Sequence, residues 1–182
     1  MIDSAFKAFN ISLVGPQAYL ASPSRGTRWE SNELLSDFKG SLGAFESTNK
    51  GIYALKEPEE LARGGYWVKD RWYSVVGELI PYGLVSHGKT GYRMEKASLS
   101  AIYRGEHFCE LCEKLPGRII LKSTKLVGNP RTSSPGVLLC IGCAEAVHKA
   151  LPKAKLAGLD EDQIWAKLED RYQVPIKRFA ED

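Results

Sequence analysis

"FCELC", residues 108–112, and "VLLCIGCAEAVHKAL", residues 137–151, hold every cysteine in the chain. The four fall into two C-x-x-C pairs, Cys109/Cys112 and Cys140/Cys143, with 27 residues between the pairs. A C-x-x-C turn points two thiolates at one tetrahedral ion, and two such turns complete a four-cysteine zinc site. The second pair stands at the mouth of a short amphipathic helix, whose partial positive charge favours thiolates. Val147, Ala150 and Leu151 are expected to face the core, and Pro152 to end the helix. Four thiolate ligands leave no open coordination position, so the expected ion holds the fold together and activates no water.

Other readings of these cysteines stay open. A strand, C-x-x-C and a helix is also the thioredoxin-like layout. Here, though, no tryptophan precedes Cys140 and no proline lies within the pair, and that layout leaves Cys109/Cys112 unexplained. The thiols could also be buried without a ligand. His107 could replace one cysteine but reads more simply as a surface residue. His148, five positions past Cys143, falls about 140° around the helix and is a poor ligand. A first C-x-x-C in a hairpin turn and a second at a helix start resembles the treble-clef arrangement of zinc fingers, over roughly Glu106 to Leu151. That resemblance implies a metal but no particular function, because treble clefs serve nucleic-acid binding, protein binding and nuclease scaffolds alike. With three histidines, none beside an aspartate, an HNH-type nuclease is not expected.

The totals narrow the class. At 182 residues, with 43% hydrophobic and 26% charged residues, the chain has the composition of a globular protein with a proper core. No apolar run approaches the roughly 18–20 residues of a membrane span. The opening "MIDSAFKAFNISLVG" lacks a basic region followed by a long apolar stretch, so no secretory signal is expected. A cytoplasmic location with reduced, metal-binding thiols is therefore expected. The net charge of +3 says little, but its distribution says more. Lys114, Arg118, Lys122, Lys125 and Arg131 form a basic stretch without a single acid, whereas Asp160 to Asp182 carries seven acids against four bases. This points to a basic patch able to meet phosphates, helped by the hydroxyls of Ser123, Thr124, Thr132, Ser133 and Ser134. Lys149, Lys153 and Lys155 follow on the other side of the cysteines.

The expected fold class is α+β: a small β-rich, barrel-like module over residues 1–104, then a treble-clef-like zinc module with a C-terminal helix over 105–182. "ISLVG", "QAYLAS" and "GIYAL" read as strands, and "EPEELARGG" as a two-turn helix closed by glycines. "SNELLSDFKG" reads as a short helix capped by Ser31 and ended at Gly40. Tyr73 to Tyr103 reads as three short strands punctuated by glycine. The last helix begins at Asp160, with Gln163 completing a capping box, and Trp165, Leu168 and Tyr172 share one face.

"GIYALK" and "VVGELIPYGLVSHGKTGYRMEKA" resemble a pattern in uncharacterised actinobacterial and phage-borne proteins, spanning about Ser22 to Ala97. The resemblance implies a recurring module and carries no activity with it. Some of those proteins place cysteines just before "GIYA", where this chain has Ser47, Thr48, Asn49 and Lys50. Within the module, His87, Arg93 and Glu95 are candidates for a pocket or an acid–base pair, or simply for a cross-strand surface cluster. "GLVSHGKT", residues 83–90, satisfies the phosphate-loop pattern, but leads into "YRMEKASLSAIY" instead of a helix and reads better as a hairpin turn. Tyr66, Trp67, Trp72, Tyr73, Tyr82 and Tyr92, interleaved with Arg63, Lys69, Arg71 and Arg93, offer either a stacking platform or a barrel core. The reading that joins these features is a non-enzymatic binding protein with structural Zn2+, contacting nucleic acid through the basic loop. The alternatives are a protein-interaction factor, such as a phage-encoded one acting on a host protein, that docks through the Trp165 face if exposed, or an enzyme built on His87, Arg93 and Glu95. No membrane partner is expected.

Overall fold

A computed structural model describes residues 4–23, 27–122, 136–151 and 157–179. The chain opens with the hairpin β1 (Ala5–Val14) and β2 (Gln17–Ala21), followed by the short strands β3 (Arg28–Trp29) and β4 (Glu33–Leu35). Helix α1 (Leu42–Glu46), strand β5 (Ile52–Leu55) and helix α2 (Pro58–Arg63) precede two 14-residue strands, β6 (Ser74–His87) and β7 (Gly91–Arg104). Then come β8 (Ile119–Lys122), β9 (Val137–Leu139), α3 (Ile141–Ala150), β10 (Ala157–Asp160), α4 (Glu161–Tyr172) and β11 (Ile176–Arg178).

The β6–β7 hairpin organises the larger, eight-stranded sheet. Register shifts between Glu78 and Leu79 and between Tyr82 and Val85 bend it without ending it. Pro81 and Gly83, which look like strand ends in sequence, are thus inside one bulged strand, and the three expected short strands are two long ones. Along its other edge β7 pairs in turn with β5, β4 and, in parallel, β11. β6 pairs with β1 over Ala5 to Asn10, while β1 meets β5 only at Phe6–Leu55. The sheet therefore curls strongly but does not close into a barrel. β4 replaces the helix expected over "SNELLSDFKG". Leu34 is buried between two exposed neighbours and pairs with Ala97, so burial with period two outweighs the capping signals at Ser31 and Gly40.

The boundary expected at 104–105 does not separate two cores. In the three-stranded sheet β10–β8–β9, alternate residues face opposite ways. Ile120 and Leu138 join the core of the large sheet, whereas Leu121 and Leu139 pack with Cys109, Cys140 and Ala144. One small hairpin thus serves two cores. Helix α4 adds Ile164, Trp165, Leu168 and Tyr172 to the larger one, among Phe9, Leu20 and Val75. Its Asp160 cap accepts from the Asp162 N–H at 2.9 Å, one position earlier than the expected capping box. The Trp165/Leu168/Tyr172 face is buried, so it offers no docking surface.

The Tyr172 hydroxyl is set into the sheet itself. It accepts from the Leu20 N–H at 2.8 Å and donates to the Trp29 carbonyl, and Leu20 and Trp29 are register partners of β2 and β3. Next to it, Arg171 lies 4.0 Å over the Tyr19 ring, donates to the Ala18 carbonyl and the Gln17 side chain, and pairs with Glu30 at 3.7 Å.

Candidate functional site

The first cysteine pair sits in a tight loop closed by a Phe108–Pro116 bridge. The Cys109 N–H donates to the Leu115 carbonyl and the Glu113 N–H to the Cys109 carbonyl, both at 2.8 Å. Glu113 takes a left-handed conformation (φ +56°) to reverse the chain. Glu110 fastens the loop to β9: its N–H donates to the Leu138 carbonyl and its carboxylate accepts from the Leu138 N–H, each at 2.9 Å. The second pair follows β9 directly. Cys140 is the extended N-cap of α3, its carbonyl accepting from the Ala144 N–H at 3.0 Å, and Cys143 lies in the first turn.

These two segments bring the four Sγ atoms within 4.8 Å of one another, with Cys112 and Cys140 4.0 Å apart. That is twice a disulfide bond length, and all four cysteines are free. A tetrahedral ion with metal–sulfur bonds of about 2.3 Å needs edges of about 3.8 Å, so the cluster fits a four-thiolate ion after a small contraction. Backbone N–H groups are aimed at it. Burial pushes the Cys109 thiol up, but N–H bonds from Cys112, Cys140 and Leu111 outweigh burial and bring it to about 6. The N–H groups of Lys114 and Leu115 hold the Cys112 thiol down. Cys143 is pushed up to about 12 by its hydrogen bond with the Cys140 thiol and by burial. Crowded thiols share protons in this way until a cation replaces them.

His107 takes no part in the cluster. Burial, reinforced by the Arg104 charge and opposed by Asp70, lowers it to about 4, and neither ring nitrogen has a partner among the described residues. His148 is exposed on α3. Of the residues expected to face the core on that helix, Val147 packs against the cysteines, while Ala150 and Leu151 are exposed.

Among the five basic candidates, Lys114 is exposed in the first cysteine loop. Arg118 is exposed and pairs with Asp162 at 3.2 Å. Lys122 ends β8, and Lys125 and Arg131 lie outside the described residues.

His87 and Arg93 line one cleft, but Glu95 does not join them. Its Oε2 accepts from the Leu84 N–H at 3.2 Å, within the β6 bulge that begins after Tyr82. The sequence placed the three together because Arg93 and Glu95 alternate correctly; the bulge draws Glu95 away. Residues 83–90 run through β6 into the β6–β7 turn, with no helix to receive a phosphate. Of the aromatic candidates, Trp67 and Trp72 are buried, while Tyr66 and Tyr92 line the cleft. Trp29 and Tyr53 line it as well, and sequence reasoning missed both. A signal for Tyr53 was present: in "GIYAL", Ile52 and Ala54 alternate inward, which turns Tyr53 outward.

The cleft has a volume of about 910 Å³ and runs between the β3–β4 stretch, β5 and the β6–β7 turn. Its lining carries Lys7, Arg28, Lys50 and Arg93 against Glu30, Glu33 and Asp37. Among the described residues, no helix is long and apolar enough to cross a membrane. No protein family, curated protein or solved structure matches this chain.

Proposed function

We propose that this protein is a non-enzymatic, zinc-stabilised binding protein that contacts nucleic acid through the basic stretch between its cysteine pairs. The observation that carries this reading is the closed set of four thiols within 4.8 Å, drawn from a tight loop and the start of a helix with a hairpin between them in the chain. That order supports a treble-clef reading, and a tetrahedral four-thiolate set suits zinc. Bound zinc supplies folding free energy here, because four protein ligands leave no position for water. Cys109, Cys112, Cys140 and Cys143 would hold it, and Glu110 would keep the first loop on β9. Support for nucleic acid comes from exposed Lys114 and Arg118 beside this centre, and from the acid-free stretch that continues past Lys122.

The test is fluorescence anisotropy of zinc-verified protein against duplex DNA, single-stranded DNA and RNA at several salt concentrations. Affinity should fall steeply with salt, by about one log–log unit of slope per phosphate contact. The double variant Lys122→Glu/Lys125→Glu should weaken binding without altering the melting temperature. Absence of binding at low salt refutes the reading.

A second reading, protein interaction, is favoured by a different observation. Phe108, Leu111, Leu115 and Ile141, all large and apolar, are exposed next to the metal ligands in the chain. Capture of one saturable protein partner, abolished by Leu111→Ser/Ile141→Ser and insensitive to the charge reversal, would select it.

A further inference from the structure

We infer that the cleft beside β5 is a second nucleic-acid site, which takes a short single-stranded segment with a phosphate on Arg93 and bases stacked on Tyr66 and Tyr53. The inference rests on the reading that the ligand is nucleic acid, but it places recognition on a different surface from the basic loop.

Arg93 is the anchor. It is half-buried, its guanidinium lies 4.7 Å over the Phe45 ring, and it forms no ion pair with a carboxylate among the described residues. A partly desolvated cation without an anion is costly unless something supplies one, and a phosphodiester matches the planar fork of a guanidinium. Its position is fixed from below. A Cβ on Gly51 would stand 2.8 Å from the Arg93 Cγ, and Gly51 adopts φ +131°, so only glycine allows the chain to pass there. Lys50, exposed in the same lining, adds a second cation beside it.

The aromatic faces are exposed and yet held. Tyr66 is 62% exposed and Tyr53 52%, high values for tyrosines that line a concave surface. The Tyr66 ring rests on Gly64, where a Cβ would come within 2.8 Å of it. The Tyr53 hydroxyl donates to the Asn49 carbonyl at 3.0 Å. Rings ordered before the ligand arrives lose little entropy on binding, and each base stacked on such a ring gains free energy whatever its identity. Trp29 also lines the cleft, and its buried indole N–H has no acceptor among the described residues.

Size and charge select the form of the ligand. A volume of about 910 Å³ lies at the upper end of ordinary small-ligand sites, which suits a few unpaired nucleotides and excludes a duplex. Glu30 is engaged by Arg171, and Glu33 and Asp37 remain in the lining. The net positive potential is therefore modest and suits one or two phosphates, with stacking as the larger share. An acidic peptide would meet the same two carboxylates without the compensation of stacking.

The experiment uses the full chain with zinc bound and a fluorescent oligothymidylate of about eight nucleotides, alongside a duplex of similar length. Tyr66→Ala should weaken oligothymidylate binding by about tenfold and leave the duplex unchanged. Arg93→Gln should lower the salt slope for the single strand by about 0.7. Tyr66 is exposed, so its variant should melt as the wild type does, and this guards against a folding artefact. If both cleft variants bind the single strand like wild type while Lys122→Glu/Lys125→Glu loses it, the cleft site is overturned and the basic-loop reading stands. If the cleft variants lose the single strand and the charge reversal changes nothing, the cleft site holds and the basic loop falls. Absence of binding to any probe overturns both.

Discussion

Removing the single hydroxyl of Tyr172 tests how this fold is fastened. In Tyr172→Phe the ring keeps its place in the core, but the buried Leu20 N–H loses its acceptor and the Trp29 carbonyl loses its donor. Each unsatisfied buried group costs about 1–3 kcal/mol. The two stranded groups are register partners, so β3 can close partway toward β2 and recover a direct bond. The expected net loss is therefore about 2 kcal/mol. For a chain of this length, that corresponds to a fall of about 4–8 °C in melting temperature. Circular-dichroism melts at fixed zinc measure it, and a fall below about 1 °C would refute the bridging role. A pH arm sharpens the test. Burial pushes the Tyr172 phenol up to about 12, against 10.0 for the ordinary group. A raised pKa contributes stability in full below 10.0, and that stability is lost as pH rises through about 12. Phenylalanine has no such contribution, so the gap between variant and wild type should narrow over that interval.

Two further outcomes are expected. On the proposed zinc reading, Cys140→Ser should abolish metal binding and unfold or aggregate the β8–β9–α3 region, read by metal content and hydrogen exchange; a soluble, unchanged, metal-free variant would sink the structural-metal claim. Burial raises the Glu161 carboxyl above its ordinary 4.5, with the Trp165 indole N–H and Arg104 opposing. Its contribution is thus present below 4.5 and lost as pH rises, so Glu161→Gln should gain on wild type in melting temperature as pH rises above 4.5. A gap constant with pH would contradict that sign.

The cysteine cluster was legible in sequence because C-x-x-C carries its own geometry: two turns bring four thiols within 4.8 Å of one another. The apolar face of α4 was legible too, at Trp165, Leu168 and Tyr172, but its destination was not. Periodicity reveals that a face must be buried and leaves unsaid against what, so a helix belonging to the main core read as part of a separate module. β6 and β7 were misjudged because Pro81 and Gly83 carry the same local signal at a bulge as at a strand end. The cleft was the least legible feature. Trp29, Lys50, Tyr66 and Arg93 are far apart in the chain and meet only through sheet curvature, which no local pattern encodes.

The placement of Tyr172 also dictates an order of events during synthesis. The long strands are complete at Arg104, yet the residues that seal their core, and the hydroxyl joining β2 to β3, arrive about 70 residues later. At translation rates of about 5–20 residues per second, the growing chain spends several seconds with Phe9, Leu20 and Val75 only partly covered. Folding that awaits so distant a segment is slow and leaves apolar surface open to self-association. The nascent protein is therefore most vulnerable to aggregation before α4 emerges.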